Sequence, residues 1–320
     1  MRTNATPRGT RREEALISLL KRLELPHGGC YELASWLPII FLPSLAFSLK
    51  NFLSAWKFMW AMAFGIFLGC KWLTWRRCEV NAAPPWRNWA YLFLWPGLDA
   101  KEFLVGTLPW QASSPRSPAG AWLAAFGKTL FGATLLWGMV RMLPASSPLL
   151  AGWCGLLGLI FLLHFGTFHL LALGWQRLGV NARPLMRAPI LSTSLGEFWG
   201  KRWNSAFSQL AYDLAFRPAL RHSSTAGATT VVFLLSGLVH ELVISIPARG
   251  GYGLPTLYFL LQAAGVLIER SRAGRRLGLR HGFAGWIFTV TFTAGPVFWL
   301  FHQPFIHRVI LPFLQAIHAL

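Results

Sequence analysis

The chain has 320 residues, of which 54% are hydrophobic and 13% are charged, and its formal net charge is +19. Ordinary soluble domains carry about 25% charged residues, whereas residues 33–49, 142–176, 250–268 and 281–307 contain no Asp, Glu, Lys or Arg. A helix needs roughly 20 mainly apolar residues to cross a bilayer, so several of these runs are long enough to span one. The composition excludes an ordinary soluble domain and indicates an integral membrane protein.

The first segment, residues 1–32, is basic and precedes the first apolar run. Within it, residues 13–25 repeat apolar side chains at helical spacing, with Lys21 and Arg22 beside them. This pattern predicts an amphipathic helix on the cytoplasmic surface of the membrane. The segment is not typical of a secretory signal, because it lacks an uncharged stretch before a small-residue cleavage site. The rest of the chain, 33–320, is predicted to be a single transmembrane domain.

That domain is predicted to be an all-α, polytopic bundle of about eight transmembrane helices. The predicted spans are 33–49, 52–75, 121–141, 149–175, 226–246, 254–269, 284–301 and 304–320. With a cytoplasmic N-terminus, loops 76–120, 176–225 and 270–283 lie inside. The outside loops 142–148 and 247–253 then hold only Arg249 among basic residues, as the positive-inside rule expects.

The basic residues cluster between apolar runs, at 2–22, 76–87, 177–202, 217–221 and 270–280. A net charge of this size in a soluble protein would suggest a nucleic-acid partner. These positions instead favour contact with anionic lipid headgroups on the cytoplasmic side. Membrane lipids are therefore predicted partners and nucleic acid is not; no oligomeric state is predicted.

Two segments fit no simple span. Residues 84–110 are rich in Trp and Pro and carry Asp99, Lys101 and Glu102, and residues 192–221 are moderately apolar, aromatic and basic. Irregular backbone at membrane depth is tolerated only where protein or a water-filled cavity covers it. We therefore expect the chemistry of a membrane enzyme in such segments, with Asp99 as a possible supporting residue.

The stretch STSLGEFWGKRWN, residues 192–204, holds a candidate nucleotide site. In a helix, Trp199 and Trp203 would share one face, with Lys201 and Arg202 beside it. Aromatic rings can stack on a base while Arg pairs with phosphate oxygens, which suits coenzyme A. The alternative is an interfacial helix with an aromatic belt and cytoplasmic cations.

Asn204 closes this stretch. An Asn amide is costly inside a bilayer without partners, so Asn204 is a candidate to donate a hydrogen bond to a thioester carbonyl or to orient a catalytic His. The alternative is that it caps a helix end.

The second informative stretch is FLLSGLVHELVIS, residues 233–245, where His240 and Glu241 lie deep within an apolar span. Ionisable residues there are functional candidates. A His of near-neutral pKa can take the proton from an alcohol that attacks a thioester and return it to the thiolate. Ser236 and Gly237 lie one turn back, and their small side chains would leave room for a substrate. The alternative is a His that bonds a neighbouring helix, and the role of Glu241 is left open.

The same residues do not match the sequence patterns of zinc enzymes, serine hydrolases or other metal sites. The HExxH zinc pattern lacks its second His after Glu241, and Ser236 is not in a G-x-S-x-G elbow. His164 and His169 are five residues apart, so they do not share a helical face for a metal. The four cysteines show no metal or disulfide spacing. No metal site is predicted.

The motif FWGKRWN at 198–204, beginning with Phe198, and a His in GLVHE 36 residues after Asn204 resemble the membrane-bound O-acyltransferase superfamily. The motif is most similar to its wax synthase branch, and WPGLDAKEF at 95–103 also resembles an element of that branch. The resemblance implies His240 as the catalytic His and Asn204 as its partner. It also implies a helix bundle with a buried tunnel, and acyl-CoA as co-substrate with no further cofactor.

The function predicted from these features is esterification of a long-chain fatty alcohol by acyl-CoA, with His240 as general base and no metal. One alternative is a related acyltransferase that uses diacylglycerol, a sterol or another hydroxyl acceptor. An alternative of a different class is a transporter or lipid-binding membrane protein. A multi-pass membrane location is expected, in the endoplasmic reticulum of a eukaryote or the inner membrane of a bacterium.

Overall fold

The computed structural model describes residues 29–78, 83–106 and 119–320. These residues form helices and no β-strand, so the predicted all-α class is confirmed. The predicted amphipathic helix at 13–25 lies outside the described residues. Several helices contain a widened π-helical turn, including 160–167, 198–202 and 241–245.

The helices are numbered in chain order. They are α1 (Gly29–Ser48), α2 (Ala55–Arg76), α3 (Pro85–Leu94), α4 (Ala100–Leu104), α5 (Ala119–Met142), α6 (Pro148–Arg177), α7 (195–202), α8 (205–220), α9 (Thr225–Ala248), α10 (Leu254–Arg270), α11 (Arg272–Arg276), α12 (Gly282–Leu300) and α13 (303–316).

Within the described part of the chain, α2, α5, α6, α9 and α12 are long and apolar enough to cross a membrane. They match five of the predicted spans and confirm a helical membrane protein. Two more predicted spans correspond to the apolar part of α1, Ala34–Ser48, and to α10, which has 17 residues. Both are shorter than the roughly 20 residues that a membrane-crossing helix needs. The number of eight spans is not confirmed.

The last predicted span, 304–320, differs from the structure. Ile306, early in α13, lies against Gly152, and Leu314, late in α13, lies against Gly155. Both glycines are near the start of α6. The Phe313 ring contacts Trp56 and Trp60 near the start of α2. After α13, the carbonyls of residues 317 and 318 accept bonds from the last turns of α5. Since α5 ends where α2 and α6 begin, α13 lies across one end of the bundle instead of crossing it.

A carboxylate from α10 fixes α7 in the bundle. Glu269 is 1% exposed, and its two oxygens accept the backbone N–H groups of Leu195 (2.7 Å) and Gly196 (2.9 Å). The first N–H groups of a helix have no partner within it, and a negative charge there is favourable. Because α7 carries the FWGKRWN motif, this cap sets the position of the motif against α10.

A buried lysine holds the segment between α3 and α4. Lys71 of α2 is 1% exposed, and its Nζ donates to the carbonyls of Trp95 (2.7 Å) and Gly97. The same Nζ lies 3.5 Å from the centre of the Tyr91 ring, a favourable cation–π contact. No carboxylate of the described residues pairs with it. Lys71 therefore ties the WPGL turn, residues 95–98, to the bundle.

We expect Glu269→Gln to lower the free energy of unfolding by about 1–3 kcal/mol, because the charge-assisted bonds to the start of α7 are lost and an amide group faces an N–H donor. Thermal unfolding of the detergent-solubilised protein measures the change. The matched control is Asp213→Asn, which removes an exposed carboxylate of α8. Equal stability of Glu269→Gln and this control would contradict the capping role.

Substituting Lys71 by Met leaves two carbonyls without their donor, at a cost of about 1–3 kcal/mol. We expect amide hydrogen exchange across residues 95–99 to rise roughly tenfold or more. Lys57→Met removes an exposed lysine of the same helix and is the control. If both variants exchange as the wild type does, Lys71 does not hold the turn.

Candidate functional site

The orientation of the His240 imidazole is fixed by its own helix. Its Nδ1 lies 2.7 Å from the backbone carbonyl of Ser236, one turn back in α9. A carbonyl oxygen can only accept, so Nδ1 carries the hydrogen. In the neutral ring, Nε2 then holds a lone pair and no proton. No hydrogen bond to Nε2 comes from the residues that the structure describes, so this nitrogen is free to accept a proton from a substrate.

The small residues before His240 act differently from the sequence prediction. Gly237 is buried, and a Cβ there would lie 2.7 Å from the Cα of Thr256, so its missing side chain admits α10 and leaves no room for a substrate. The Ser236 hydroxyl donates to the carbonyl of Val232 at 3.0 Å. Ser236 supports His240 through its backbone carbonyl and not through its hydroxyl.

Glu241 points to the next helix. Its Oε1 accepts the N–H groups of Gly253 (3.0 Å) and Thr256 (3.1 Å) and the Thr256 hydroxyl (3.0 Å). These donors belong to the first turn of α10, where backbone N–H groups lack helical partners. Glu241 therefore caps α10 and fixes its packing against α9, which gives this residue a structural role beside the catalytic candidate.

One aromatic residue of α10 joins the two sequence motifs. The Phe259 ring lies 4.5 Å from the His240 ring and 5.7 Å from the Trp199 ring, measured between centroids. Trp199 also packs on Phe233, and its indole N–H donates to the Oε1 of the fully buried Gln262 (3.3 Å). The FWGKRWN segment thus enters the bundle between α9 and α10 and comes within one side chain of His240.

The Trp199 and Trp203 rings are in contact, with centroids 6.5 Å apart. Their planes are 73° apart, an edge-to-face arrangement, and the backbone over 198–202 forms a π-helical turn in place of the predicted α-helix. Trp203 stacks on Phe198, with centroids 5.5 Å apart and planes 12° apart. Trp203 also contacts the ring of Phe165 in α6. The two indoles therefore belong to one aromatic cluster with Phe198.

Arg202 is engaged locally. Its Nε donates to Glu197 at 2.8 Å, and its Nη1 donates to the carbonyls of Arg187 and Ala188. The Thr193 N–H is the largest influence that lowers the pKa of the Glu197 carboxyl below its usual value, and Arg202 adds to it against the opposing effect of burial. These contacts keep Glu197 ionised and brace α7, so Arg202 holds the loop beside Lys201.

Asn204 stands at the sharp junction between α7 and α8. Its backbone is left-handed (φ 42°), a conformation that Asn tolerates better than most residues. Its N–H lies 3.2 Å from the Met186 sulfur, and its side chain caps nothing. Within the described residues no hydrogen bond engages the Asn204 amide or joins it to His240. The amide is therefore available to a bound molecule.

A polar cavity of about 260 Å³ lies next to this junction. It brings together the WPGLDAKEF segment, through Trp95, Gly97, Asp99 and Glu102, with Lys201 and Ser205. Asp99 caps α4 by accepting the Glu102 N–H (3.1 Å), and Glu102 is bonded by Asn181 and Arg183. Lys201 is exposed and makes no ion pair with the described residues. The structure thus places the WPGLDAKEF and FWGKRWN segments around one cavity.

Sequence reasoning missed two buried charged residues near the site, Lys71 and Glu269; it placed Gln262 on a face of its helix with Tyr258 that could line the cavity but gave it no partner. Lys71 carried a signal, since it is a charge within a long apolar run; the partners of Gln262 and Glu269 could be known only from the fold. Among the described residues, no group of three His, Cys, Asp or Glu could hold a metal ion.

Comparisons with known proteins bear on the same segment. Residues 182–261 match the model of the membrane bound O-acyl transferase family. The chain is 30% identical over 147 residues to probable long-chain-alcohol O-fatty-acyltransferase 7 of Arabidopsis thaliana, covering 41% of this chain and 42% of that protein. It is 31% identical over 137 residues to the long-chain-alcohol O-fatty-acyltransferase of Simmondsia chinensis, covering 39% and 38%.

A further relative is acyl-CoA–sterol O-acyltransferase 1 of Arabidopsis thaliana, 28% identical over 139 residues, covering 39% of each chain. The matched part of the chain spans about two fifths of the length of these relatives. The family match includes both the 198–204 and the 237–241 motifs. These comparisons confirm the predicted resemblance to the membrane-bound O-acyltransferase family and, within it, to the long-chain-alcohol branch.

Proposed function

We propose that this protein is an acyl-CoA-dependent O-acyltransferase that esterifies a long-chain fatty alcohol. The observation that carries the proposal is the fixed tautomer of His240: Nδ1–H is bonded to Ser236 and Nε2 is left unprotonated within a membrane-spanning helix. The names of the relatives from Arabidopsis thaliana and Simmondsia chinensis support the alcohol as acceptor. The family match supports acyl transfer.

In the proposed reaction, the alcohol oxygen attacks the thioester carbonyl while Nε2 of His240 takes the alcohol proton. The tetrahedral intermediate then collapses, the C–S bond breaks, and the imidazolium returns the proton to the departing thiolate. The products are an ester and the free thiol of CoA. The Asn204 amide donates to the developing oxyanion, and the reaction is proposed to use neither a metal ion nor a further cofactor.

Acyl-CoA is proposed to enter from the cytoplasmic end, with its phosphates near Lys201 and its acyl chain passing inward toward His240 through the predicted tunnel. Lys201 supports this assignment because it is exposed and lines the cavity that the WPGLDAKEF and FWGKRWN segments form. Trp199, Trp203 and Phe198 form the aromatic cluster beside this path. Arg202 contributes by bracing that segment. A multi-pass location in the endoplasmic reticulum or a bacterial inner membrane is part of the proposal.

A sterol acceptor is the second candidate, because one relative is named an acyl-CoA–sterol O-acyltransferase. The two candidates differ only in the alcohol, so hexadecanol and a sterol supplied separately with palmitoyl-CoA distinguish them by the ester formed. A transporter or lipid-binding protein would release no CoA with either acceptor.

We expect His240→Gln to reduce acceptor-dependent CoA release by at least about 10²-fold, because the general base is lost. His222→Gln removes an exposed His outside the site and should retain wild-type activity. Both proteins should elute alike on size exclusion in detergent, which separates loss of chemistry from loss of folding. A folded His240→Gln variant with near-normal turnover would remove His240 from the mechanism.

Asn204 can be tested without disturbing its left-handed backbone. Gly favours this conformation, so Asn204→Gly removes only the amide, and we expect kcat to fall about 10²–10³-fold through loss of an oxyanion donor. Asn204→Asp keeps the shape but loses the N–H donors and should be impaired as well. If Asn204→Gly is fully active, the residue serves only the turn between α7 and α8.

A further inference from the structure

A second, larger cavity of about 750 Å³ lies at the other end of α9 from the basic 176–225 loop. Three parts of the chain form it: the turn between α1 and α2, the turn between α9 and α10, and α13. Its walls include five apolar side chains and three cations. The apolar residues are Phe47, Leu53, Phe58, Ile246 and Pro247, and the cations are Lys50, Arg249 and Arg308.

The charge of this cavity is entirely of one sign. Its lining contains no Asp or Glu, and none of the three cations makes an ion pair with the described residues. Glu241, near this end of α9, accepts hydrogen bonds from the start of α10 through Oε1, has no hydrogen bond at its buried Oε2, and does not line the cavity. Like charges brought together without a counter-ion repel each other, so the arrangement is suited to an anion.

The position of these cations makes the cluster unusual. In the predicted orientation, the turns at 50–51 and 247–253 and the start of α13 all face away from the cytoplasm. Loops on that side are normally poor in Lys and Arg. Residues 50, 249 and 308 are far apart in sequence, yet the fold gathers their three cations around one space.

Helix capping explains the position of only one of the three cations, Arg308. Arg308 donates through Nη1 to the carbonyls of Ala248 and Arg249, each at 3.0 Å, and so satisfies the end of α9. The exposed Arg249 side chain makes no hydrogen bond within the described residues. Lys50 makes a cation–π contact with Phe47, 4.1 Å from the ring centre. Lys50 and Arg249 thus keep their hydrogen-bond donors for another molecule.

We propose that this cavity binds an anionic phospholipid of the bilayer. Its phosphate would lie among the three cations, where Arg and Lys donate to the oxygens, and the start of an acyl chain would lie against the wall that Phe47 and Phe58 form. A soluble anion has no apolar part that could cover that wall. The bound lipid joins the α1–α2 turn to the end of α9 and to α13.

Native mass spectrometry of the whole protein released from detergent tests the proposal, with phosphatidylglycerol or phosphatidylcholine added at equal concentration. We expect one phosphatidylglycerol to be retained, and phosphatidylcholine at least about fivefold less. The double variant Lys50→Gln/Arg249→Gln should lose this preference. Lys57→Gln/Lys128→Gln removes the same charge from positions outside both the cavity and the predicted headgroup-contacting basic clusters and should keep it.

Two results would overturn the assignment. One is equal retention of phosphatidylglycerol by the two double variants, which would place the lipid elsewhere. The other is displacement of the lipid by millimolar inorganic phosphate with the same gain in thermal stability, which would identify a site for a soluble anion. Thermal unfolding of both variants without lipid shows that each is folded before binding is compared.

Discussion

The constraint on which this structure depends is that backbone polar groups inside a membrane must find partners within the protein. At three interruptions of the helices, an ionisable side chain supplies them. Glu269 accepts the first N–H groups of α7, Glu241 accepts those of α10, and Lys71 donates to carbonyls of the WPGL turn. Each of these charges is held by backbone rather than by an opposite charge, so the irregular segments are fixed relative to α2, α9 and α10.

This use of charge determines what remains for chemistry. The two acids of α9 and α10 are committed to helix ends, and Arg202 is committed to Glu197 and two carbonyls. Among the described residues, the groups left without a hydrogen bond near the site include Nε2 of His240, the second carboxylate oxygen of Glu241 and, at the junction of α7 and α8, the amide of Asn204. A base and a neutral hydrogen-bond donor suit transfer of an acyl group to an alcohol, in which a proton moves and an oxyanion forms.

The sequence predicted the membrane class, most of the crossing helices, and the two motifs, because long apolar runs and rare polar residues within them are local signals. It could not predict the π-helical turn at 198–202, since this geometry depends on packing against α9 and α10. It misassigned α13, whose apolar composition suits a span although its contacts lie at one end of the bundle. The space expected beside Gly237 is filled by Thr256, a contact between residues 19 positions apart that periodicity does not report.

The most direct measurement is a structure of the protein with a non-hydrolysable palmitoyl-CoA analogue. The account predicts that the atom replacing the thioester sulfur lies between His240 and Asn204, with the carbonyl oxygen within about 3 Å of the Asn204 amide. The Nε2 of His240 should face the space that the alcohol would occupy, and Lys201 should contact a phosphate. An analogue bound with its carbonyl remote from both His240 and Asn204 would contradict the proposed site.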